Sequence, residues 1–156
     1  MYEFLEYQVA DAMTYHPVTI VRATPLSEVE RLFAQHDFNC LPVCEDGVLL
    51  GIVTKLDVLK AFAFTTRGMI PRYEEIMCQP AETVMMLRPV TLTPDVSLTR
   101  VLQLMADTRY RSFPVIIGDL LIGMVAREDV LRALARAARG ERPRSGAGYW
   151  REPVVP

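Results

Sequence analysis

The chain has 156 residues, of which 51% are apolar and 23% are charged, so it can form a substantial core and has the composition of a globular protein. Its net charge of −2 argues against general nucleic-acid binding. No apolar run approaches the roughly 20 residues that span a bilayer, and the acidic N-terminal sequence is unlike a secretory signal. We therefore expect a cytoplasmic protein with no membrane contact.

The sequence repeats itself with an offset of 72 residues. GIVTKLD at 51–57 returns as GMVARED at 123–129, and the tripeptide PVT occurs at 17–19 and again at 89–91. The alignment needs no gap between Met13 and Ala61. A match of this length in register indicates a tandem duplication of one structural unit.

The duplication divides the chain into four predicted segments: a first repeat over 9–66, a connector over 67–80, a second repeat over 81–138 and a C-terminal tail over 139–156. The tail combines Gly, Pro, Ser and charged residues, and six arginines occur from Arg132 onward, so we expect a mobile end. Contact with an acidic partner, or docking of Trp150 onto a neighbouring subunit, are the alternatives.

Within a repeat, the first predicted elements are a short strand at PVT and a helix. Apolar residues from Leu98 to Met105 follow the spacing i, i+3, i+4, i+7 of a helix with one buried face, and a similar pattern starts at Leu26. Each helix should have about three turns. Thr24 before Pro25, and Ser97 in the second repeat, are the predicted caps.

Two short apolar runs follow each helix and predict a β-hairpin. Asp46-Gly47 is a strong hairpin signal, and Gly118-Asp119 is a weaker one. A second helix closes each repeat, and Gly140 should end the later one. Three strands with two helices on one face leave the other face uncovered, so we expect the two repeats to pack together.

Residues for catalysis or for metal binding are not apparent. His16 and His36 are the only imidazoles, and neither accompanies a Ser or Cys in a nucleophile motif, so we predict no enzyme activity. Cys40, Cys44 and Cys78 are odd in number and lie beside apolar residues, which indicates reduced thiols. Their spacing does not match that of zinc ligands.

The repeated phrase has two interpretations. It joins a buried strand to a helix, where Thr54 offers a hydroxyl, Lys55 a positive charge and Asp57 an acceptor for a ribose diol, which together suit a nucleotide. Alternatively, Thr54 caps the helix and Asp57 only complements the helix dipole.

These residues resemble a tandem pair of cystathionine β-synthase (CBS) domains, a Bateman module. The resemblance rests on AMTYHPVTI and VMMLRPVTL, on LPV and FPV, and on GIVTKLD and GMVARED, and it extends over about residues 9–138. It implies an α+β fold in which two β-α-β-β-α repeats pack sheet to sheet about a pseudo-twofold axis and leave two clefts.

The resemblance also implies the residues of each cleft. In both, the acid would hold ribose, basic residues would hold phosphate, with the Thr54 hydroxyl beside them in the first cleft, and the segment around PVT would lie beside the base. The first cleft would contain Thr54, Lys55, Asp57, Arg88, Val90 and Thr91. The second would contain Arg111, Arg127, Asp129, His16, Val18 and Thr19.

One position departs from the family pattern, because Ala126 occupies the place of Thr54. Loss of the hydroxyl removes a hydrogen bond of about 1 kcal/mol. Arg111 and Arg127 could supply charge-assisted contacts instead. We therefore expect the two clefts to differ in affinity or in ligand.

By this resemblance the chain is a stand-alone regulatory module that requires no cofactor. It would bind AMP, ADP, ATP or S-adenosylmethionine, form a homodimer, and signal occupancy to a regulated protein that the sequence does not name. The alternative is a structural dimerisation module with vestigial clefts, filled by side chains such as Met86 or Met124.

Overall fold

The computed structural model describes residues 2–63 and 72–143. They form two compact units, and each unit contains segments of both repeats. The Thr54 unit comprises residues 17–63, 72–90 and 118–121, whereas the Ala126 unit comprises 2–16, 91–117 and 122–143. The start of the predicted connector, and the predicted tail from residue 144 with Trp150, lie outside the described residues.

Helices and strands alternate along the chain, so the α+β class is confirmed. Two short 3-10 helices lie at Tyr2–Glu6 and Ala81–Thr83. The α-helices are α1 (Val9–Ala12), α2 (Leu26–Gln35), α3 (Lys55–Lys60), α4 (Tyr73–Met77), α5 (Leu98–Thr108) and α6 (Arg127–Ala138). The strands are β1 (Thr14–Tyr15), β2 (Cys40–Glu45), β3 (Val48–Thr54), β4 (Met86–Leu87), β5 (Ser112–Ile117) and β6 (Leu120–Ala126).

In the Thr54 unit, β3 pairs along both of its edges. On one edge it forms an antiparallel hairpin with β2. The turn of this hairpin has φ of 49° at Asp46 and 80° at Gly47, so the predicted hairpin is confirmed. On the other edge β4 pairs with β3, and Leu87 lies opposite Gly51. The strand that ends at Thr54 is thus held by a segment of each repeat.

The Ala126 unit repeats this arrangement around β6. Strand β5 pairs with β6, and Gly118 in the turn between them has a φ of 60°. Strand β1 pairs antiparallel with β6, with Tyr15 opposite Gly123. The first strand of one repeat therefore lies against the last strand of the other repeat in both units.

A glycine is required where these strands meet. A Cβ atom on Gly51 would lie 2.5 Å from the carbonyl oxygen of Met86, and one on Gly123 would lie 2.9 Å from that of Thr14. Both distances are far below van der Waals contact, and backbone atoms in a paired strand cannot easily move away. This close approach explains why the repeated phrase begins with glycine.

Two predictions about the start of each repeat are wrong. The PVT tripeptides are not strands: the two-residue strands precede them, and only Ile20 and Leu92 form single parallel bridges. A proline, which lacks an N–H, interrupts each ladder. Thr24 is not a cap either, because its Oγ1 accepts from the N–H of Val21 and Pro25 takes the cap position.

The other predicted helix signals are confirmed. Ser97 caps α5, and its Oγ accepts from the N–H of Arg100 at 3.3 Å. Gly140, with a φ of 76°, follows α6 and donates its N–H to the carbonyl of Ala137. Both predictions rested on local hydrogen bonding, which tertiary packing does not alter here.

Each unit has its own apolar core. In the Thr54 unit, Leu26 and Val29 of α2 pack with buried residues of β2 and β3. In the Ala126 unit, the N-terminal Tyr7 is completely buried among residues of α5 and α6. Its hydroxyl donates to the carbonyl of Glu141, and the guanidinium of Arg136 lies 5.5 Å from its ring centroid. The N-terminal segment is therefore part of this core.

The cysteines are free thiols, as predicted. Cys40 and Cys44 are buried, and Cys78 is exposed. Burial, with a smaller contribution from the nearby Glu45, raises the pKa of the Cys44 thiol to about 11. Within residues 2–63 and 72–143, no helix has the length and apolar character needed to cross a membrane.

Gly51→Ala should detach β4 from β3, because the new methyl group cannot fit beside the carbonyl of Met86. We expect a loss of about 1–3 kcal/mol of stability in urea unfolding and faster hydrogen exchange at the β4 amides. Gly118→Ala is the control, since its added Cβ meets no atom within 4 Å and should leave β4 protected. Unchanged exchange in Gly51→Ala would contradict the close-approach argument.

At pH 8, a disulfide reagent such as DTNB should label Cys78 quickly and Cys44 slowly. With a pKa of about 11, roughly one Cys44 in a thousand is a thiolate at that pH, and burial blocks access as well. In urea all three thiols should react. Cys78→Ser should remove the fast phase, and a fast phase that survives this change would show that a buried thiol is accessible.

Candidate functional site

Asp57 is a buried carboxylate that the cap of α3 holds in place. It is only 7% exposed. Its Oδ2 accepts from the backbone N–H of Thr54 at 2.9 Å and from the Thr54 hydroxyl at 2.6 Å, while the N–H of Asp57 donates to that hydroxyl. The other oxygen, Oδ1, lies 3.7 Å from the Lys60 ammonium. Capping therefore fixes the carboxylate and occupies one of its oxygens.

Asp129 occupies the equivalent place at the start of α6 and is 5% exposed. Its Oδ2 accepts from the backbone N–H of Ala126 at 2.7 Å, but here no hydroxyl is available. Its Oδ1 forms a direct ion pair with Arg132. Both carboxylates thus accept a hydrogen bond from the backbone N–H of the cap residue. They differ at Oδ2, where only Asp57 has a hydroxyl partner, and at Oδ1, where the basic neighbour is a lysine or an arginine.

Lys55 and Arg127, both predicted at phosphate, lie against helices of their own units. The Lys55 ammonium is 5.7 Å from the ring centroid of Phe33 on α2. The Arg127 guanidinium donates to the carbonyls of Arg109 and Tyr110, at 3.0 and 3.3 Å. It therefore satisfies carbonyls that the end of α5 leaves without helical partners. Contact with phosphate stays a prediction for both residues.

Arg111 is exposed, and its carbonyl accepts from the backbone N–H of Arg127 at 3.0 Å. This hydrogen bond fixes the backbone of Arg111 beside the first residue of α6. The structure therefore places two of the predicted basic residues at one end of the Ala126 unit, next to the buried Asp129.

His16 and Arg88 share an unusual backbone conformation at equivalent positions of the repeat. Both have a φ of 50°, in the left-handed region that residues with side chains rarely adopt. This backbone conformation costs on the order of 1–3 kcal/mol, and residues that adopt it are concentrated at functional sites. Each turns the chain directly after a short strand, and it points the following PVT tripeptide away from the ladder.

The remaining predicted residues follow these turns. Val18 and Val90 are 40% and 45% exposed, Thr19 is exposed, and Thr91 is half-buried. Exposed valines at matching positions offer apolar surface on which the ring of a base could stack.

Most of the residues predicted for one cleft lie in one compact unit. Thr54, Lys55 and Asp57 share the Thr54 unit with Arg88 and Val90. Arg111, Arg127, Asp129 and His16 share the Ala126 unit. Three residues fall in the other unit from their predicted group: Thr91 belongs to the Ala126 unit, and Val18 and Thr19 belong to the Thr54 unit.

Sequence reasoning missed Lys60 and Arg132, which lie three residues after each aspartate. On a helix this spacing brings the two side chains together, so LDVLK and EDVLR already contained the signal. The backbone turns at His16 and Arg88 had no such signal, because neither residue is glycine. In the described residues, no cluster of three or more metal-binding side chains is present.

Comparison with known proteins agrees with this architecture. The family model for the CBS domain matches residues 9–64 and 81–136. The CBS domain-containing protein YhcV of Bacillus subtilis is 32% identical over 122 residues, which cover 78% of this chain and 81% of YhcV.

Solved structures with the same fold include CBSX2 in complex with AMP, with a TM-score of 0.73 and 23% identity over 85% of this chain and 99% of that one. The CBS domain pair of protein MJ0100, in complex with 5-methylthioadenosine and S-adenosyl-L-methionine, has a TM-score of 0.68 and 22% identity over 84% and 98% of the two chains. The chain belongs to the CBS domain family and carries two copies of the domain in tandem.

Proposed function

We propose that this protein is a regulatory module that binds an adenosine derivative and catalyses no reaction. The observation that carries the proposal is the buried carboxylate, Asp57 or Asp129, at the same position of both units. The complexes of CBSX2 with AMP and of the MJ0100 pair with S-adenosylmethionine support an adenosine-containing ligand.

A buried carboxylate suits a ribose diol for a physical reason. It can accept two hydrogen bonds from adjacent hydroxyls, and in a low-dielectric setting these bonds are stronger than they are in water. The cap of α3 already orients Asp57, so a ligand does not need to order it. The exposed Val18 and Val90 provide apolar surface for the base in this proposal.

The two sites should bind unequally. At Asp57, Oδ1 lies 3.7 Å from the Lys60 ammonium, a long contact that a diol could displace at low cost. At Asp129, the direct ion pair with Arg132 must give way or rearrange. Arg132 would then be free to hold a phosphate, so the Ala126 unit should favour phosphorylated ligands more strongly than the Thr54 unit does.

Regulation would follow from linkage. A ligand that binds one conformation of the module more tightly stabilises that conformation, and a partner protein that recognises it responds to ligand concentration. The alternative function is a structural dimerisation module. Exposed leucines favour self-association: Leu56 and Leu59 on α3 are 59% and 66% exposed. We propose a homodimer under either function.

Ligand-free protein should bind at least one of AMP, ADP, ATP and S-adenosylmethionine in calorimetry. Asp57→Ala should weaken the site of the Thr54 unit by about tenfold or more, since a hydrogen bond to a charged group contributes about 1.5–3 kcal/mol. Asp129→Ala should affect only the site of the Ala126 unit. Ala126→Thr should make the second site more like the first.

Asp107→Ala is the matched control, because Asp107 is an exposed acid on α5. Since Asp57 also caps α3, the melting temperature of each variant without ligand must be measured, and Asp57→Asn keeps the shape of the side chain. If the parent protein binds none of the four ligands, the ligand-binding function is wrong and the structural function becomes the better account.

Leu59→Glu should convert a dimer into a monomer in sedimentation experiments, because a charge would replace exposed apolar surface in the interface. Leu5→Glu is the control, since Leu5 is 63% exposed on the N-terminal 3-10 helix. A monomeric parent protein would refute the dimer, and a dimeric Leu59→Glu protein would exclude this face of α3.

A further inference from the structure

One arginine connects the end of α5 with the start of α6 in the Ala126 unit. The Arg127 guanidinium donates from Nη2 to the carbonyl of Arg109 at 3.0 Å and from Nε to the carbonyl of Tyr110 at 3.3 Å. The backbone N–H of Arg127 donates to the carbonyl of Arg111 at 3.0 Å. A single residue therefore binds three successive carbonyls of the turn over 109–111, a set of contacts that we call the Arg127 tie.

The turn needs such a partner because of the way in which α5 ends. The last carbonyls of a helix have no partner within the helix, and a glycine in the left-handed region usually helps to satisfy them. Here Arg109 takes the left-handed conformation, with a φ of 61°, although it carries a side chain. The Thr108 hydroxyl donates to the carbonyl of Leu104, and Arg127 donates to carbonyls further along the chain. Side chains thus hold the turn in a conformation that costs energy.

The shape of a guanidinium explains why an arginine suits this position. Nε and Nη2 lie on one side of the planar group, so their N–H bonds can reach two neighbouring carbonyls together. Lys55 occupies the equivalent position in the Thr54 unit, and its ammonium lies 5.7 Å from the ring centroid of Phe33. The Ala126 unit therefore holds its turn by a contact for which a lysine lacks the geometry.

The Arg127 tie determines where the backbone of Arg111 lies. Arg111 is exposed, and its carbonyl is hydrogen-bonded to the first residue of α6, two residues before the buried Asp129. The turn thus sets the position of an exposed guanidinium relative to the carboxylate that the proposed function assigns to ribose. A binding group that is misplaced by about 1 Å can lose much of its contribution, so the tie matters for a ligand that contacts both groups.

We propose that Arg127 is a positioning residue for phosphate recognition in the Ala126 unit. It holds the turn over 109–111 so that Arg111 meets the phosphate of the ligand, and it makes no phosphate contact itself. The inference rests on the proposed function and deepens it, because it names a residue that sets the affinity for a phosphorylated ligand. It replaces the direct phosphate contact predicted for Arg127, since the side of the guanidinium that carries Nε and Nη2 already binds the turn.

AMP and adenosine differ only by the phosphate, so the ratio of their affinities measures phosphate recognition. Calorimetry in an Asp57→Ala background reports mainly on the Ala126 unit. There Arg111→Ala should weaken AMP binding by about tenfold and adenosine binding much less. Arg127→Ala should have the same selective effect, because the turn can then move. Arg127→Lys should lose as much, since lysine keeps the charge but not the planar fork.

The double variant Arg111→Ala/Arg127→Ala distinguishes a positioning role from a direct contact. If Arg127 acts through Arg111, the double variant should bind AMP no more weakly than Arg111→Ala does. Two independent phosphate contacts would instead multiply to a loss of about a hundredfold. Such a multiplied loss, or an Arg127→Lys protein that binds AMP like its parent, would overturn the proposal. So would equal losses for AMP and adenosine in Arg127→Ala, which would indicate a merely structural role.

Hydrogen exchange in the ligand-free protein tests the tie without any ligand. Peptides that cover residues 109–112 should exchange faster in Arg127→Ala than in the parent protein. Arg100→Ala is the matched control, because Arg100 is an exposed arginine in the first turn of α5 and contacts Gln103. It should change neither the exchange nor the affinity for AMP, and circular dichroism will check that each variant folds.

The exchange and binding measurements fail in different ways. Unchanged exchange in Arg127→Ala would overturn the positioning role even where the protein binds AMP. If exchange becomes faster but the Asp57→Ala protein binds neither AMP nor adenosine, the proposed function is wrong for the Ala126 unit, and the role in phosphate recognition is wrong with it.

Discussion

The close backbone approach at Gly51 and Gly123 is the constraint on which the rest of the structure depends. A side chain at either position would occupy the place of a backbone carbonyl oxygen, so only glycine lets β4 pair with β3 and β1 pair with β6. Because each pair joins strands of different repeats, neither repeat completes its sheet alone. The duplication is therefore a structural requirement of the fold and not merely a record of its history.

The position of the buried carboxylates follows from the same strands. Strands β3 and β6 each end three residues after the glycine, and the next helix begins there. An aspartate at the third helical position can accept from the N–H of the cap residue, which pays for part of the cost of burying its charge. The capping interpretation and the ligand-binding interpretation are thus compatible, since one oxygen serves the cap and the other lies beside a basic residue.

Local signals in the sequence predicted the fold well. The helices, both hairpins, the Ser97 cap and the end of α6 depend on neighbouring residues, and the sequence contains those residues. The errors lie at the PVT tripeptides and Thr24, where pairing with distant segments decides the structure. The αL turns at His16 and Arg88 could not be predicted, because only strand pairing and packing force residues with side chains into that conformation.

The positions of the two acidic residues could be predicted from the sequence, but the contacts of the basic residues could not. Asp57 and Asp129 follow from the repeat, but the partners of Arg127 depend on where α5 ends. The two units also differ in the residues that surround the two aspartates. Gly51 and Asp57 correspond to Gly123 and Asp129, whereas Thr54 and Lys60 correspond to Ala126 and Arg132. Substitution of the groups that contact each carboxylate alters its electrostatics without altering the backbone, so differences in ligand preference can evolve independently of the fold.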